Sequence, residues 1–89
     1  MRIVANIKQP NSEVKRLMIY ESDEGVYLFG YKTIIDAASD WDEFYDSLED
    51  AKERAQEKFE VNDLDWNAIP DPQENCKHDW IEPVRIDDN

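Results

Sequence analysis

The chain is poor in the residues that build disulfides and zinc sites. It has one cysteine, Cys76, and one histidine, His78, among 89 residues. A lone cysteine cannot form an internal disulfide, whereas small secreted domains usually carry several cysteines. A zinc site normally takes four ligands, and the sequence has no second cysteine–histidine pair. We therefore expect neither a disulfide framework nor a zinc centre, and no cofactor.

Glycine and long apolar runs are also scarce. The two glycines are too few for a glycine-rich phosphate-binding loop. No apolar stretch approaches the roughly 20 residues of a membrane-spanning helix. Residues 1–8 lack the apolar run and the cleavage site of a signal peptide. The expectation is a cytoplasmic protein that does not enter a membrane.

Basic residues are few where acidic residues are many. Residues 1–33 contain five Lys/Arg and four Asp/Glu, whereas residues 34–89 contain five Lys/Arg and eighteen Asp/Glu, a net charge of −13. Such a field repels nucleic acid and attracts cations and basic proteins. The basic residues are also too scattered for a nucleic-acid surface. We expect a basic protein partner, and neither nucleic acid nor membrane.

The chain does contain enough apolar material for one core. The hydrophobic fraction is 40% and ten residues are aromatic, which is too many for an intrinsically disordered chain. A length of 89 residues is typical of a single small domain. We therefore assign residues 1–89 to one domain.

Three strands are predicted in the first third of the sequence, at residues 3–8, 14–21 and 26–33. Turn residues separate them at 9–12 and 22–25, and such short links favour an antiparallel meander. The second and third strands are apolar on both faces, whereas the strands of a sheet with one solvent-exposed face would alternate polar and apolar residues. Another part of the chain, or a partner such as a second copy in a homodimer, must cover the second face.

One helix is predicted over residues 47–59. Ser47 and Asp50 have the spacing of a helix cap, and acidic residues precede basic ones, as the helix dipole favours. One apolar stripe follows the helical repeat: Leu48, Ala51, Ala55 and Phe59. The aromatic residues of 40–46 continue this stripe, as one longer helix or as a short helical turn with a break. We favour the break, because a second cap inside a helix would be wasted.

The remaining residues predict short extended segments. Residues 64–69 form a strand or a turn, 70–72 form a loop, and 80–86 form a last strand that Pro83 places at the sheet edge. The predicted fold class is therefore α+β. It has a three- to four-stranded antiparallel sheet, arranged as a meander, with one main helix packed on one face.

Residues 40–46 interleave three aromatic side chains with four acidic ones. Rigid rings surrounded by charge are typical of binding hot spots, where the rings supply buried area and the acids attract a basic partner. The alternative is that the rings pack in the core while the acids face water. The candidate partner-binding residues are Asp40, Trp41, Asp42, Glu43, Phe44, Tyr45 and Asp46.

The acidic loop 63–74 has oxygen ligands with the spacing of a calcium-binding EF-hand loop. The candidate metal ligands are Asp63, Asp65, Asn67, Asp71 and Glu74. The glycine that such a loop needs at its sixth position is replaced by Ala68, and no helix is predicted after the loop. A calcium- or small-ligand-regulated module is therefore the alternative function, and a solvated acidic loop is the simpler interpretation.

An enzyme is the residual alternative. Cys76 and His78 lie two residues apart, which in an extended segment separates them by about 6.5–7 Å, beyond direct hydrogen-bond reach. The neighbouring Glu74 and Asp79 disfavour a thiolate. Carboxylate pairs are abundant, but nothing ranks one pair above another as a catalytic dyad.

Several features together resemble small acidic bacterial proteins of unassigned function. They are the strand end at 26–29, the acidic link that follows, the helix opening at 47–51, and Trp66 soon after the helix. The resemblance covers most of residues 14–69, implies a bacterial source and brings no catalytic residue. Our leading hypothesis is a non-enzymatic interaction or inhibitor-type module that binds a basic protein partner.

Overall fold

The first four strands of the chain each pair with the next in antiparallel fashion, and the tightest link between them is the turn at residues 23–24. The computed structural model describes residues 1–86 of the chain. Its elements are β1 (Arg2–Asn6), β2 (Arg16–Ser22), β3 (Gly25–Tyr31), β4 (Trp41–Tyr45), α1 (Leu48–Phe59), a 3₁₀ turn (Asp63–Asp65) and β5 (Asn67–Ile69). They build one sheet in the order β4-β3-β2-β1-β5.

The predicted α+β class, with one antiparallel sheet and one main helix, is confirmed. The strands β1 to β4 follow one another as a meander, and β5 returns after the helix to pair with the outer side of β1. The sheet has five strands where the sequence predicted three or four. β4 lies where the sequence predicts a helix or a helical turn, and β5 lies where it predicts a strand or a turn.

Strand alternation sends one set of apolar side chains toward the helix. The buried members of this set on the first three strands and the loop after β1 are Ile3, Ala5, Ile7, Leu17, Ile19, Val26 and Leu28. They pack against the stripe of the helix, in which Ala51, Ala55 and Phe59 are buried. This is the main core, and both periodicities behind it are visible in the sequence.

The helix begins where its cap residue predicts. Ser47 has extended backbone geometry, and its Oγ accepts a hydrogen bond from the backbone N–H of Asp50 at 3.2 Å. Glu49 and Asp50 lie in the first turn and Lys58 in the last, which suits the helix dipole. The predicted break before residue 47 is present, because the chain changes there from β4 to α1.

Residues 41–45 form a strand and not the helical turn that the sequence analysis favoured. The run Trp-Asp-Glu-Phe-Tyr places side chains 41, 43 and 45 on one side and 42 and 44 on the other, which is also a strand repeat. Pairing with β3 decides between the two repeats, since Trp41 lies opposite Gly30 and Tyr45 opposite Val26.

The second face of the sheet is covered in part by the C-terminal segment, residues 70–86. Beneath it lie Met18, Phe29 and Tyr31, all buried. Arg2 anchors the segment: it is 2% exposed, and its Nε and Nη1 donate to the carbonyl oxygens of Pro70 and His78 at 2.8 and 3.0 Å. Another part of the chain therefore covers this region, one of the two possibilities left open by the sequence.

The C-terminal segment does not contain the predicted strand at 80–86. Its one ladder contact is an isolated antiparallel bridge between Cys76 and Arg85. The backbone N–H groups of Ile81 and Glu82 donate to the carboxylate of Asp36 at 2.9 and 2.8 Å, so they are not free for a neighbouring strand. Apolar content alone predicted a strand here, and side-chain anchors replace the ladder.

Candidate functional site

Five of the seven candidate partner-binding residues form β4, whose geometry separates them onto two faces. Trp41, Glu43 and Tyr45 lie on the helix side and are half-buried, whereas Asp42 and Phe44 lie on the opposite side and are exposed. Successive side chains of a strand point to opposite faces. The structure therefore does not bring the whole predicted stretch together as one surface.

Trp41 is the aromatic residue that joins β4 to the core. Its ring stacks on that of Phe59, with centroids 6.0 Å apart. The same ring lies across the backbone of Gly30, where any β-carbon would overlap it. Trp41 thus packs as the alternative in the sequence analysis describes, between the helix and the sheet.

Tyr45 and Glu43 form a second link between β4 and the helix. The hydroxyl of Tyr45 donates to Oε1 of Glu43 at 2.6 Å, and Nε of Arg54 lies 3.6 Å from the same oxygen. Burial, and then the hydrogen bond to the Glu43 carboxylate, raise the pKa of Tyr45 to about 12. These groups attach the strand to the helix at a partly exposed position.

Phe44 presents its ring on the other side of the sheet. The ring is 52% exposed, meets Tyr27 edge-on with centroids 5.0 Å apart, and Tyr27 lies 6.3 Å from Tyr20. The strand register aligns the three rings in one row across the sheet. The Phe44 ring also covers Gly25, whose φ of 148° and lack of a β-carbon allow this close approach. We call Tyr20, Tyr27, Asp42 and Phe44 the Phe44 face.

Acidic residues flank Phe44 along the chain. Asp42 shares its side of β4, and Asp46 follows the strand directly; both are exposed. Asp40 precedes the strand and is also exposed, while its Oδ2 accepts a hydrogen bond from the backbone N–H of Lys32 at 2.7 Å. The Phe44 face therefore combines an accessible ring with the exposed carboxylate of Asp42, and Asp40 and Asp46 lie at the two ends of the strand.

The C-terminal segment forms one wall of this face. A shallow cleft of about 410 Å³ opens between Tyr27 and Asp42 on the sheet and Lys77, His78 and Asp79 on the segment. The imidazole of His78 packs on the ring of Tyr20 at a centroid distance of 4.9 Å. The cleft is open and lined by both charge signs, so the geometry suits a side chain of a partner better than an enclosed small molecule.

The predicted calcium ligands are distributed over the 3₁₀ turn, β5 and the loop after it. They are Asp63, Asp65, Asn67, Asp71 and Glu74. Asp65 accepts from the backbone N–H of Asn62 at 2.9 Å and pairs with Lys8 at 3.1 Å, and these contacts lower its pKa. Asp71 pairs with the N-terminal amine at 2.8 Å. Within residues 1–86, no three His, Cys, Asp or Glu side chains are grouped so as to hold a metal, and the calcium hypothesis stays a prediction.

Cys76 and His78 occupy different surroundings. Cys76 is 6% exposed and bridges to Arg85 through its backbone. His78 contributes its carbonyl oxygen to Arg2 and its ring to Tyr20. His78 thus helps to hold the C-terminal segment on the sheet, whereas the backbone bridge of Cys76 lies within the segment.

Two residues of the Phe44 face, Tyr20 and Tyr27, were not among the candidates drawn from the sequence. They were assigned to strand faces without a functional role. Their position beside Phe44 depends on the register of β2, β3 and β4, and the sequence predicts only the first two of these strands. The signal that could have found them is the strand repeat of 41–45 combined with the tight turn at 22–25.

A scan of protein-family models and searches of curated proteins and of solved structures found no match for this chain. Among the described residues, no helix is long and apolar enough to span a membrane.

Proposed function

We propose that the protein is a non-enzymatic interaction module, of adaptor or inhibitor type, that binds a basic protein surface through the Phe44 face. The observation that carries this proposal is Phe44, which is 52% exposed on a strand whose other outward side chain, that of Asp42, is acidic. Burial of this ring against a partner is favourable because it removes apolar surface from water. The neighbouring carboxylates favour a partner with basic side chains.

The chemistry of the Phe44 face suits lysine and arginine. A cation over an aromatic face gains about 0.5–2 kcal/mol, more as water is excluded. Asp42 lies on the same side of β4 and can pair with the same cation. The net charge of −13 over residues 34–89 adds a long-range field that speeds encounter with a basic partner.

Trp41 has a supporting role in this proposal. The sequence pattern predicts Trp41 as a contact residue, whereas its ring stacks on that of Phe59 with centroids 6.0 Å apart. Glu43 and Tyr45 are likewise half-buried on the helix side. We therefore assign the aromatic contact to Phe44, with Asp40, Asp42 and Asp46 as its charged surroundings.

The test is capture of a partner by matched variants. The immobilised protein, Phe44→Ala, Asp42→Lys and a control, Glu57→Lys, are each exposed to a lysate of the source at low salt. The control makes the same charge change at an exposed position of the helix. Captured proteins are eluted with salt and identified, and each is then purified for measurement of its Kd.

The proposal expects one or more basic proteins held by the wild type and by Glu57→Lys. Binding should weaken about tenfold or more in Asp42→Lys and in Phe44→Ala, as for a hot-spot residue. Capture that is equal in all four proteins, or equally lost in Asp42→Lys and Glu57→Lys, would mean that net charge alone attracts the captured proteins and that the Phe44 face has no role.

A further inference from the structure

The strand that carries Phe44 is also the last strand of the sheet. β4 pairs with β3 on one side, and its other side is the end of the sheet order among the described residues. In a terminal strand, alternate residues direct their backbone N–H and C=O groups away from the sheet. Such a row of donors and acceptors is a template for a further strand.

The opposite edge of the sheet is much less suited to this. β5 is three residues long, and Pro70, which follows it, has no backbone N–H. Pro70 is also held by Arg2 through its carbonyl oxygen. β4 is five residues long and contains no proline. Of the two edges, β4 therefore offers the longer continuous ladder.

We propose that the basic partner binds as an extended segment that adds a sixth strand to the outer edge of β4. This inference rests on the proposed function and names its geometry. A strand at that edge places alternate side chains beside Asp42 and Phe44, so lysine or arginine at every second position reaches both groups. Backbone hydrogen bonds then supply affinity, and the Phe44 face selects the basic residues.

The charge of β4 favours this occupant over a second copy of the chain. In an antiparallel self-pair centred on Glu43, that residue would lie opposite its own copy, and Asp40 would lie opposite Asp46. Like charges directly opposite one another in a sheet are destabilising. Acidic edges of this kind therefore disfavour pairing between identical strands. A basic strand at the same edge would instead place lysine or arginine opposite these acidic residues, which is favourable.

The experiment uses a short synthetic peptide of alternating lysine and threonine as the probe. A second peptide has the same sequence with every backbone nitrogen methylated, which keeps charge and side chains but removes the backbone donors. Affinities are measured for the wild-type protein, Asp42→Lys and Glu57→Lys. Hydrogen exchange of the amides of residues 41–45 is followed by NMR with and without each peptide.

The inference expects the unmodified peptide to bind at least about tenfold more tightly than the methylated one. It also expects slower exchange of alternate β4 amides at saturation, by about tenfold or more. Equal affinity of the two peptides, unchanged exchange, or no binding of either would overturn the sixth strand. If the protein without peptide forms a dimer in which the amides of β4 exchange slowly, the strand that pairs with β4 is a second copy of the chain and not a basic partner.

The two proposals fail in different ways. If the sixth strand is wrong and the Phe44 face is right, the methylated peptide or a captured protein still distinguishes Asp42→Lys from Glu57→Lys. If the Phe44 face is wrong, those two variants behave alike with every probe, including the captured proteins.

Discussion

Arg2 is the charged residue on which the second face of the sheet depends most. Its guanidinium donates to carbonyl oxygens of Pro70, His78, Trp80 and Ile81, and it is 2% exposed. Desolvation lowers the pKa of this arginine, and the carbonyl oxygens compensate by accepting its hydrogen bonds. A buried cation that donates to four backbone oxygens connects the first strand to the last segment of the described chain.

We predict that Arg2→Met lowers the free energy of unfolding by about 3 kcal/mol, because several carbonyl oxygens lose their donor while remaining covered. Arg2→Lys should restore only part of the loss, since one ammonium group cannot reach the same set of acceptors. Urea unfolding, followed by tryptophan fluorescence, measures both. An unfolding free energy for Arg2→Met within about 0.5 kcal/mol of wild type would show that the segment is held by other contacts.

At the scale of elements, β4 and α1 are held together by groups that titrate. The pKa of Tyr45 is raised to about 12 because burial and the hydrogen bond to Glu43 both favour its neutral form. A raised pKa means that the stabilisation is complete below the unfolded value, about 10, and is lost as the pH rises toward the folded value. The contribution of the Tyr45 hydroxyl to this link should therefore be lost in alkaline solution.

We predict that the melting temperature falls as the pH is raised above about 10, and that Tyr45→Phe makes this fall less steep. Burial also raises the pKa of Tyr31, so part of the fall should remain in the variant. Melting curves across the alkaline range, with both proteins at the same ionic strength, give the comparison. Identical slopes for the two proteins would show that the Tyr45 hydroxyl does not contribute.

The elements divide into those that local sequence determines and those that long-range pairing determines. The helix was predictable from Ser47 and its apolar stripe, and the hairpin between β2 and β3 from the turn that ends in Gly25. β4 was not, because the apolar residues Trp41, Phe44, Tyr45 and Leu48 fit a helical repeat, and only its pairing with β3 selects the strand. The Phe44 face depends on that same pairing.

The structure of the C-terminal segment could not be predicted from its own residues, for a related reason. Its backbone is held by Arg2, Tyr31 and Asp36, which lie far away in the sequence. Nothing in residues 80–82 indicates that their backbone groups bond to side chains and not to a neighbouring strand. The sequence did predict that the second face would be covered, since both faces of β2 and β3 are apolar, but it could not identify the cover.

The whole molecule carries a net charge of −12, and this charge has opposite consequences for folding and for binding. Within the fold, uneven acidic charge repels itself, and salt reduces that repulsion. Between the protein and a basic partner the same charge attracts, and salt reduces the attraction as well. Screening acts over about 10 Å at 0.1 M salt, so both effects should develop over the same range of concentration.

We therefore predict that added sodium chloride raises the melting temperature and weakens binding of the lysine–threonine peptide over one salt range. Melting curves and binding isotherms at matched salt concentrations measure the two effects, with sucrose as an uncharged control for the stability measurement. A melting temperature that falls with salt would mean that ion pairs such as Glu43–Arg54 outweigh the repulsion. A Kd for the peptide that does not change with salt would show that electrostatic attraction does not contribute to the proposed recognition. Salt screens the charges near Phe44, so a partner that these charges attract must bind more weakly as salt is added.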